Sequence, residues 1–99
     1  MIIITKIRRN ILKITVKYFL EYARLSGCRD EELFFENDEF VSVKEVFKNL
    51  NSKYKIKYED VVNKGIILVN NRSITQLDME NTVLRDGDKL ILMPMISGG

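Results

Sequence analysis

The sequence has no histidine and no tryptophan, and only one cysteine and one proline in 99 residues. Without histidine the chain lacks the commonest general base near neutral pH and the commonest metal-binding side chain. Cys28 has no second cysteine to form an internal disulfide, and no metal-type cysteine spacing exists. That usage favours a reducing compartment, so the cytoplasm is expected. No apolar run approaches about 18 residues, so no membrane span is expected. MIIITKIRRN turns basic after a short apolar start and lacks the features of a secretory leader. Phosphate-loop, dinucleotide-binding and nucleophile-elbow patterns are all missing. A catalytic carboxylate pair within residues 30–39 competes with a simpler reading, a solvated acidic loop. The chain is therefore expected not to be an enzyme, with no metal and no cofactor of its own.

What is present fits one small globular domain. The composition is 45% hydrophobic and 30% charged, enough for one modest core and little more. Net charge is only +2, but it is unevenly placed. Lys6, Arg8, Arg9, Lys13 and Lys17 fall in the first 20 residues with no acid among them. The next 20 are acid-rich, with Asp30, Glu31 and Glu32 consecutive. Such a dipolar surface suits steered docking with a protein partner, and equally serves plain solubility. The basic arm could touch RNA electrostatically. No aromatic residue sits among Lys6, Arg8, Arg9 and Lys13, however, and direct binding of nucleic acid is not expected.

Residues 12–19 alternate, with Leu12, Ile14, Val16 and Tyr18 on one side, which predicts a half-buried strand. EYARLSGCRDE reads as a loop with a helical turn closing at Gly27, and a second strand follows over residues 32–36. Asn37 and Asp38 supply turn chemistry. Residues 42–54 give the clearest helix. Ser42 and Glu45 form a capping-box pair. Val43, Val46, Phe47, Leu50 and Tyr54 make one apolar stripe, from which Lys44, Lys48 and Lys53 are excluded. YEDVVNK adds a short turn that Gly65 terminates. GIILVNN is a strand whose run from Ile66 to Val69 suits burial on both faces. Asn70, Asn71 and Arg72 turn into a short return near Ser73 and Ile74. Asp86-Gly87-Asp88 is a tight turn because glycine takes positive φ without steric cost. Leu90 to Met93 then form the last strand. One striped helix needs one sheet, and apolar first and last strands suit its centre. The expectation is an α+β roll, a mixed sheet of four to five strands over one main helix.

The chain closes on LILMPMISGG, and by average glycine usage a terminal Gly-Gly arises in roughly 0.5% of chains. Pro94 has no N–H and a fixed φ, so sheet pairing is expected to stop there. From Pro94 to Gly99 an extended chain reaches roughly 20 Å. Gly98 and Gly99 lack a Cβ and allow close backbone approach to a partner.

Taken together, ITVKYF…ARLSG, the capped VSVKEVFKNL helix, GIILVNN and LRDGDKLILMPMISGG resemble the ubiquitin-like β-grasp family. The nearer branch is that of sulfur carriers and ubiquitin-related modifiers. The small subunit of molybdopterin synthase has a similar ending, with two adjacent prolines where this chain has Pro94 and Met95. The resemblance covers residues 12–99, leaving 1–11 as an N-terminal extension, 12–93 as the β-grasp domain and 94–99 as the tail.

The resemblance implies that Gly99 carries the chemistry. An E1-like adenylating enzyme would spend ATP to convert its α-carboxylate to an acyl adenylate. A sulfur donor protein would then yield a C-terminal thiocarboxylate, for uses such as tRNA thiolation. Alternatively, a target lysine would take the acyl group in an isopeptide bond. Gly98 would permit access, while Pro94, Met95, Ile96 and Ser97 would guide the tail into the partner. Two alternatives remain. One is a dedicated small subunit serving a molybdopterin synthase large subunit in molybdenum cofactor biosynthesis. The other is a ubiquitin-like docking module that is never activated. Cys28 is either a persulfide-handling thiol near Arg29 or an inert loop thiol.

Overall fold

The computed structural model describes residues 11–36 and 39–95. The proposed turn at Asn37 and Asp38, the N-terminal arm and the tail positions Ile96, Ser97, Gly98 and Gly99 lie outside the described residues.

Strand β1 (Ile11–Tyr18) buries Leu12, Ile14, Val16 and Tyr18, as its alternation requires. β2 (Asp30–Glu36) returns antiparallel beside it, from Lys17 against Asp30 to Ile11 against Glu36. The segment between them is more ordered than a loop with one turn. Residues Glu21–Ser26 form a helix, α1, which Tyr22 anchors in the core and Gly27 ends at φ +80°. Sequence periodicity is uninformative over so short a helix, because it makes fewer than two turns.

After β3 (Val41–Ser42) comes α2 (Val43–Tyr54). The Glu45 N–H donates to Ser42 Oγ at 3.1 Å, and the Ser42 N–H donates to Glu45 Oε1 at 3.0 Å. Two otherwise orphaned backbone donors are thereby satisfied. Val43, Val46, Phe47 and Leu50 are buried, and Tyr54 is half-buried. The expected short turn is a second helix, α3 (Tyr58–Lys64), which buries Val61. β4 (Gly65–Val69) and β5 (Arg72–Ser73) form a hairpin with Asn70 at φ +59°. β6 (Val83–Leu84) pairs with β3 in a small separate ladder. Two-residue strands carry no alternation, so the sequence does not announce them. The turn at Gly87, φ +89°, leads into β7 (Lys89–Pro94).

The main sheet has the order β2-β1-β7-β4-β5. β1 and β7 are parallel at its centre, and the other pairs are antiparallel. The core lies between the inner face of this sheet and the helices, and it includes Ile14, Val16, Leu50, Leu90 and Leu92, none measurably exposed. Burial of β4 on both faces is corrected. Ile67 and Val69 enter the core, whereas Ile66 and Leu68 are only half-buried on the outer face. The helices cover one side of the sheet, so alternate residues of even a continuous apolar strand face outward.

Candidate functional site at the end of the last strand

Pro94 closes β7, and the two neighbouring strands release the chain at different points. On the β1 side, the Phe19 N–H donates to the Leu92 carbonyl at 3.0 Å. The next rung of a parallel ladder would need an N–H at residue 94, and proline has none. On the β4 side, Gly65 and Pro94 face each other, and the Met95 N–H still donates to the Lys64 carbonyl at 3.2 Å. Pro94 thus ends pairing with β1, but the β4 side holds the chain for one residue more. Met95 is 57% exposed where the backbone leaves this last bond.

The register places an apolar patch beside this exit. Ile66 stands opposite Met93, and Leu68 stands opposite Ile91, all on the outer face. Across β1 and β2 the same face is mixed: Lys13 and Glu32 pair at 3.5 Å and Lys17 lies beside Ile91, while Ile11 and Phe34 are exposed among the charges. The run of Ile66, Leu68, Ile91 and Met93, unbroken by charge, is the part that leads toward Met95. The sequence reading missed these residues because the signal lies in the pairing of two strands, not in either run alone.

Gly65 fixes the crossing under the exit. A Cβ there would stand 2.6 Å from the Met93 carbonyl oxygen, 2.8 Å from the Tyr22 hydroxyl and 3.2 Å from the Val61 carbonyl oxygen. Its backbone is extended, so space and not φ demands glycine. α1, α3 and β7 therefore converge on one point just before the tail.

In the acidic stretch, one carboxylate is drawn into the fold. Glu31 turns inward from β2 and accepts hydrogen bonds from Tyr18 and Tyr54, both at 2.6 Å, and from Lys53 at 2.6 Å. Burial pushes its carboxyl up, but the hydrogen bonds and the Lys53 charge outweigh burial and hold it below the ordinary range. Burial, and then the bond to Glu31, raise Tyr18. A depressed carboxyl stabilises the fold above its unfolded pKa, and that contribution is lost as pH falls through the folded value. Acid titration followed by circular dichroism is therefore expected to show a loss of stability beginning near pH 4.5. Glu31→Gln should flatten that loss and lower neutral-pH stability by about 1–3 kcal/mol. An unchanged acid profile would mean that another carboxylate governs it. Cys28 is half-buried between α1 and β2, its Sγ 3.7 Å from Ser26 Oγ. Among the described residues no cluster has the makings of a metal site, and no helix is long and apolar enough to cross a membrane.

Comparison with curated proteins gave no match. Among solved structures, the chain is similar to the small archaeal modifier protein 1 from Methanosarcina acetivorans, at 23% identity and a TM-score of 0.73, covering 91% of this chain and 99% of that one. It is similar to Urm1 from Trypanosoma brucei, at 21% identity and a TM-score of 0.64, covering 91% and 98%. It is also similar to a chain in the complex of subunits 1 and 2 of the molybdopterin-converting factor from Helicobacter pylori, at 25% identity and a TM-score of 0.55, covering 89% and 100%. These likenesses fix the fold as the ubiquitin-like β-grasp. The ThiS family matches residues 16–99, from the middle of β1 through the terminal glycines. The chain, matched over most of its length, belongs to the ThiS family.

Proposed function

We propose that this protein acts through the carboxylate of Gly99, as a sulfur carrier and a modifier of lysines in other proteins. The observation that carries this reading is the course of β7. A central strand, held on both sides, runs past Pro94 directly into Met95 and the terminal Ile-Ser-Gly-Gly. An anchored strand gives the tail a fixed point of departure, and the apolar patch beside it offers an adenylating enzyme a surface to grip.

In the proposed chemistry, a Gly99 carboxylate oxygen attacks the α-phosphorus of ATP held by that enzyme, and pyrophosphate leaves. Sulfide attacking the acyl carbon expels AMP and leaves a thiocarboxylate. A persulfide from a sulfur donor protein gives an acyl disulfide first, which a second thiol reduces to the same thiocarboxylate. A lysine amine attacking instead expels AMP, loses a proton and leaves an isopeptide bond. The ATP belongs to the partner. This chain supplies an acyl group and a docking surface, performs no catalysis and works in the cytoplasm. The H. pylori likeness, a complex of two subunits, supports a protein partner and keeps a large synthase subunit among the candidates.

The test is mass spectrometry of the tagged protein and its covalent adducts from native cells. Trypsin cuts after Lys89 and should leave LILMPMISGG on any modified lysine. That remnant would establish conjugation. Free protein with sulfur in place of one terminal oxygen would establish sulfur carriage alone. An unmodified C-terminus under every growth condition would overturn the proposal in favour of a docking module.

A further inference from the structure

The corner between β1 and α1 carries a residue at odds with its shape. The Tyr22 N–H donates to the Phe19 carbonyl at 3.1 Å, which closes a four-residue turn with Leu20 at its second position. Leu20 lies at φ +54°, ψ −118°. Those angles belong to the first central residue of a type II′ turn, a place that glycine takes because a Cβ is crowded there. For a bulky side chain the conformation is a genuine outlier. Leu20 is also the N-cap of α1, where its side chain caps nothing, and leucine is among the poorest residues at that position. Burial offsets neither fault. Leu20 is 69% exposed, the most of any large apolar side chain among the described residues. Glycine would serve both the turn and the cap, so nothing inside the fold accounts for a leucine here.

The corner is firmly held, and it stands at the exit of the tail. The Phe19 N–H donates to the Leu92 carbonyl at 3.0 Å, and the Leu20 carbonyl accepts from the Arg24 N–H at 3.1 Å. Tyr22, two residues on, is anchored in the core. The register that sets Tyr18 beside Leu92 brings Phe19 level with Met93 and Leu20 level with Pro94. Phe19 is exposed, as is Met95 just beyond Pro94. Leu20 and Phe19 line a cleft of about 370 Å³ with Ala23, Lys17, Arg29 and Asp30, which gives a partner surface relief to close on beside the exit.

We propose that Leu20 is a docking anchor for the adenylating enzyme, held outward by the strained turn and seated in an apolar recess of that enzyme while the tail enters its active site. This rests on the reading that Gly99 is activated, and adds to it a named contact outside the outer patch of the sheet. Position selects the partner. An enzyme that takes in the four residues after Met95 must come against the surface around Pro94, and this corner is part of that surface. Ile11 and Phe34, also exposed, lie toward the opposite end of β1. Strained backbone persists at ligand clamps, where the surroundings over-determine it. Here the two bonds to α1 and the one to β7 do so. A side chain presented by a rigid corner loses little freedom on binding. Burial in the enzyme removes from water the apolar surface that the free chain leaves exposed.

The test uses the full chain, the adenylating enzyme from the same cells, pyrophosphate exchange at varied carrier concentration, and thermal melts. Leu20→Gly should raise Tm by roughly 4–8 °C as the strain is relieved. The same change should raise KM about tenfold or more, through loss of the seated side chain, with kcat unchanged. Leu20→Ala keeps a Cβ, so it should raise KM alike with little of the gain in Tm. Leu20→Met should recover most of the affinity that alanine loses. Phe34→Ala removes a comparably exposed side chain away from the exit and should leave KM where it was. A merely structural leucine would not yield a more stable protein that its partner recognises less well. The inference is overturned if Leu20→Gly fails to raise Tm, if KM stays at the parent value in both the glycine and alanine variants, or if kcat falls while KM holds. A parent that self-associates, with Leu20→Gly monomeric, would overturn it in favour of a second copy of this chain. A parent that supports no exchange at all would overturn the activation reading itself, a failure visible before any variant is made.

Discussion

Deletion of Gly98 and Gly99 is expected to abolish activation completely and to leave the melting temperature where it was. The two halves of this expectation come from different parts of the molecule. The buried core runs from Leu12 to Leu92, so the fold closes without the last residues. The proposed chemistry needs an acyl carbon at the end of a chain that can enter a narrow site, and truncation leaves that end on Ser97, with a side chain and two residues short. Each missing residue withdraws the carboxylate by about 3.3–3.6 Å, and an attack geometry tolerates far less than that. The measurement is pyrophosphate exchange by the cognate adenylating enzyme, run beside a thermal melt. Exchange that persists would place the chemistry elsewhere than Gly99. A collapsed melting temperature would show that the tail is structural.

Gly65→Ala should have the largest effect on the fold from the smallest change. The added methyl would meet the Met93 carbonyl oxygen at 2.6 Å and the Tyr22 hydroxyl at 2.8 Å, and one of those contacts is backbone. The tyrosine can tilt, but the carbonyl belongs to the central strand and cannot move without disturbing its pairing with β4. Overpacking of this kind costs about 2 kcal/mol, which in a domain of this size lowers Tm by roughly 8–16 °C. Tyr22→Phe on the same background should recover only part of that loss, because it relieves the hydroxyl contact and not the carbonyl. Displacement of β7 here also moves the departure point of Met95, so activation should slow by more than the fraction unfolded explains. An unchanged Tm would mean that β7 slides freely past β4 at this end.

Much of this was legible in the sequence, for identifiable reasons. Leu12, Ile14, Val16 and Tyr18 alternate because one face of β1 meets the core, and alternation survives any detail of pairing. The α2 stripe and its Ser42–Glu45 cap are local and were readable as such. The β-grasp reading stood on the ending LRDGDKLILMPMISGG and was met by the ThiS family match over residues 16–99. What stayed hidden depends on elements far apart in the chain. The outer patch exists only because Ile66 lies against Met93 and Leu68 against Ile91. Gly65 does stop α3, as the sequence indicated, but that it also lets Met93 and Tyr22 approach was not readable. The carboxylate of Glu31 read as part of an acidic loop, yet it is shared by two tyrosines and a lysine from α2 and β1. No local pattern encodes such meetings.

The parallel pairing of β1 with β7 has a consequence for how the molecule comes into being. Thr15 pairs with Lys89, so nearly the whole chain lies between the two strands that form the middle of the sheet. Until β7 emerges from the ribosome, β1 and β4 each have an open edge, and a large part of the core has no lid. Pairings so distant in sequence form slowly, because the intervening loop must close before the contact returns anything. The nascent chain should therefore remain protease-sensitive almost to the end of synthesis, then fold in one step as its last residues are released. A product clipped before Lys89 loses its central strand and should be cleared as unfolded. By this route the cell would discard carriers that stop short of the last strand before any partner meets them, while loss of the terminal glycines alone would pass unnoticed until activation.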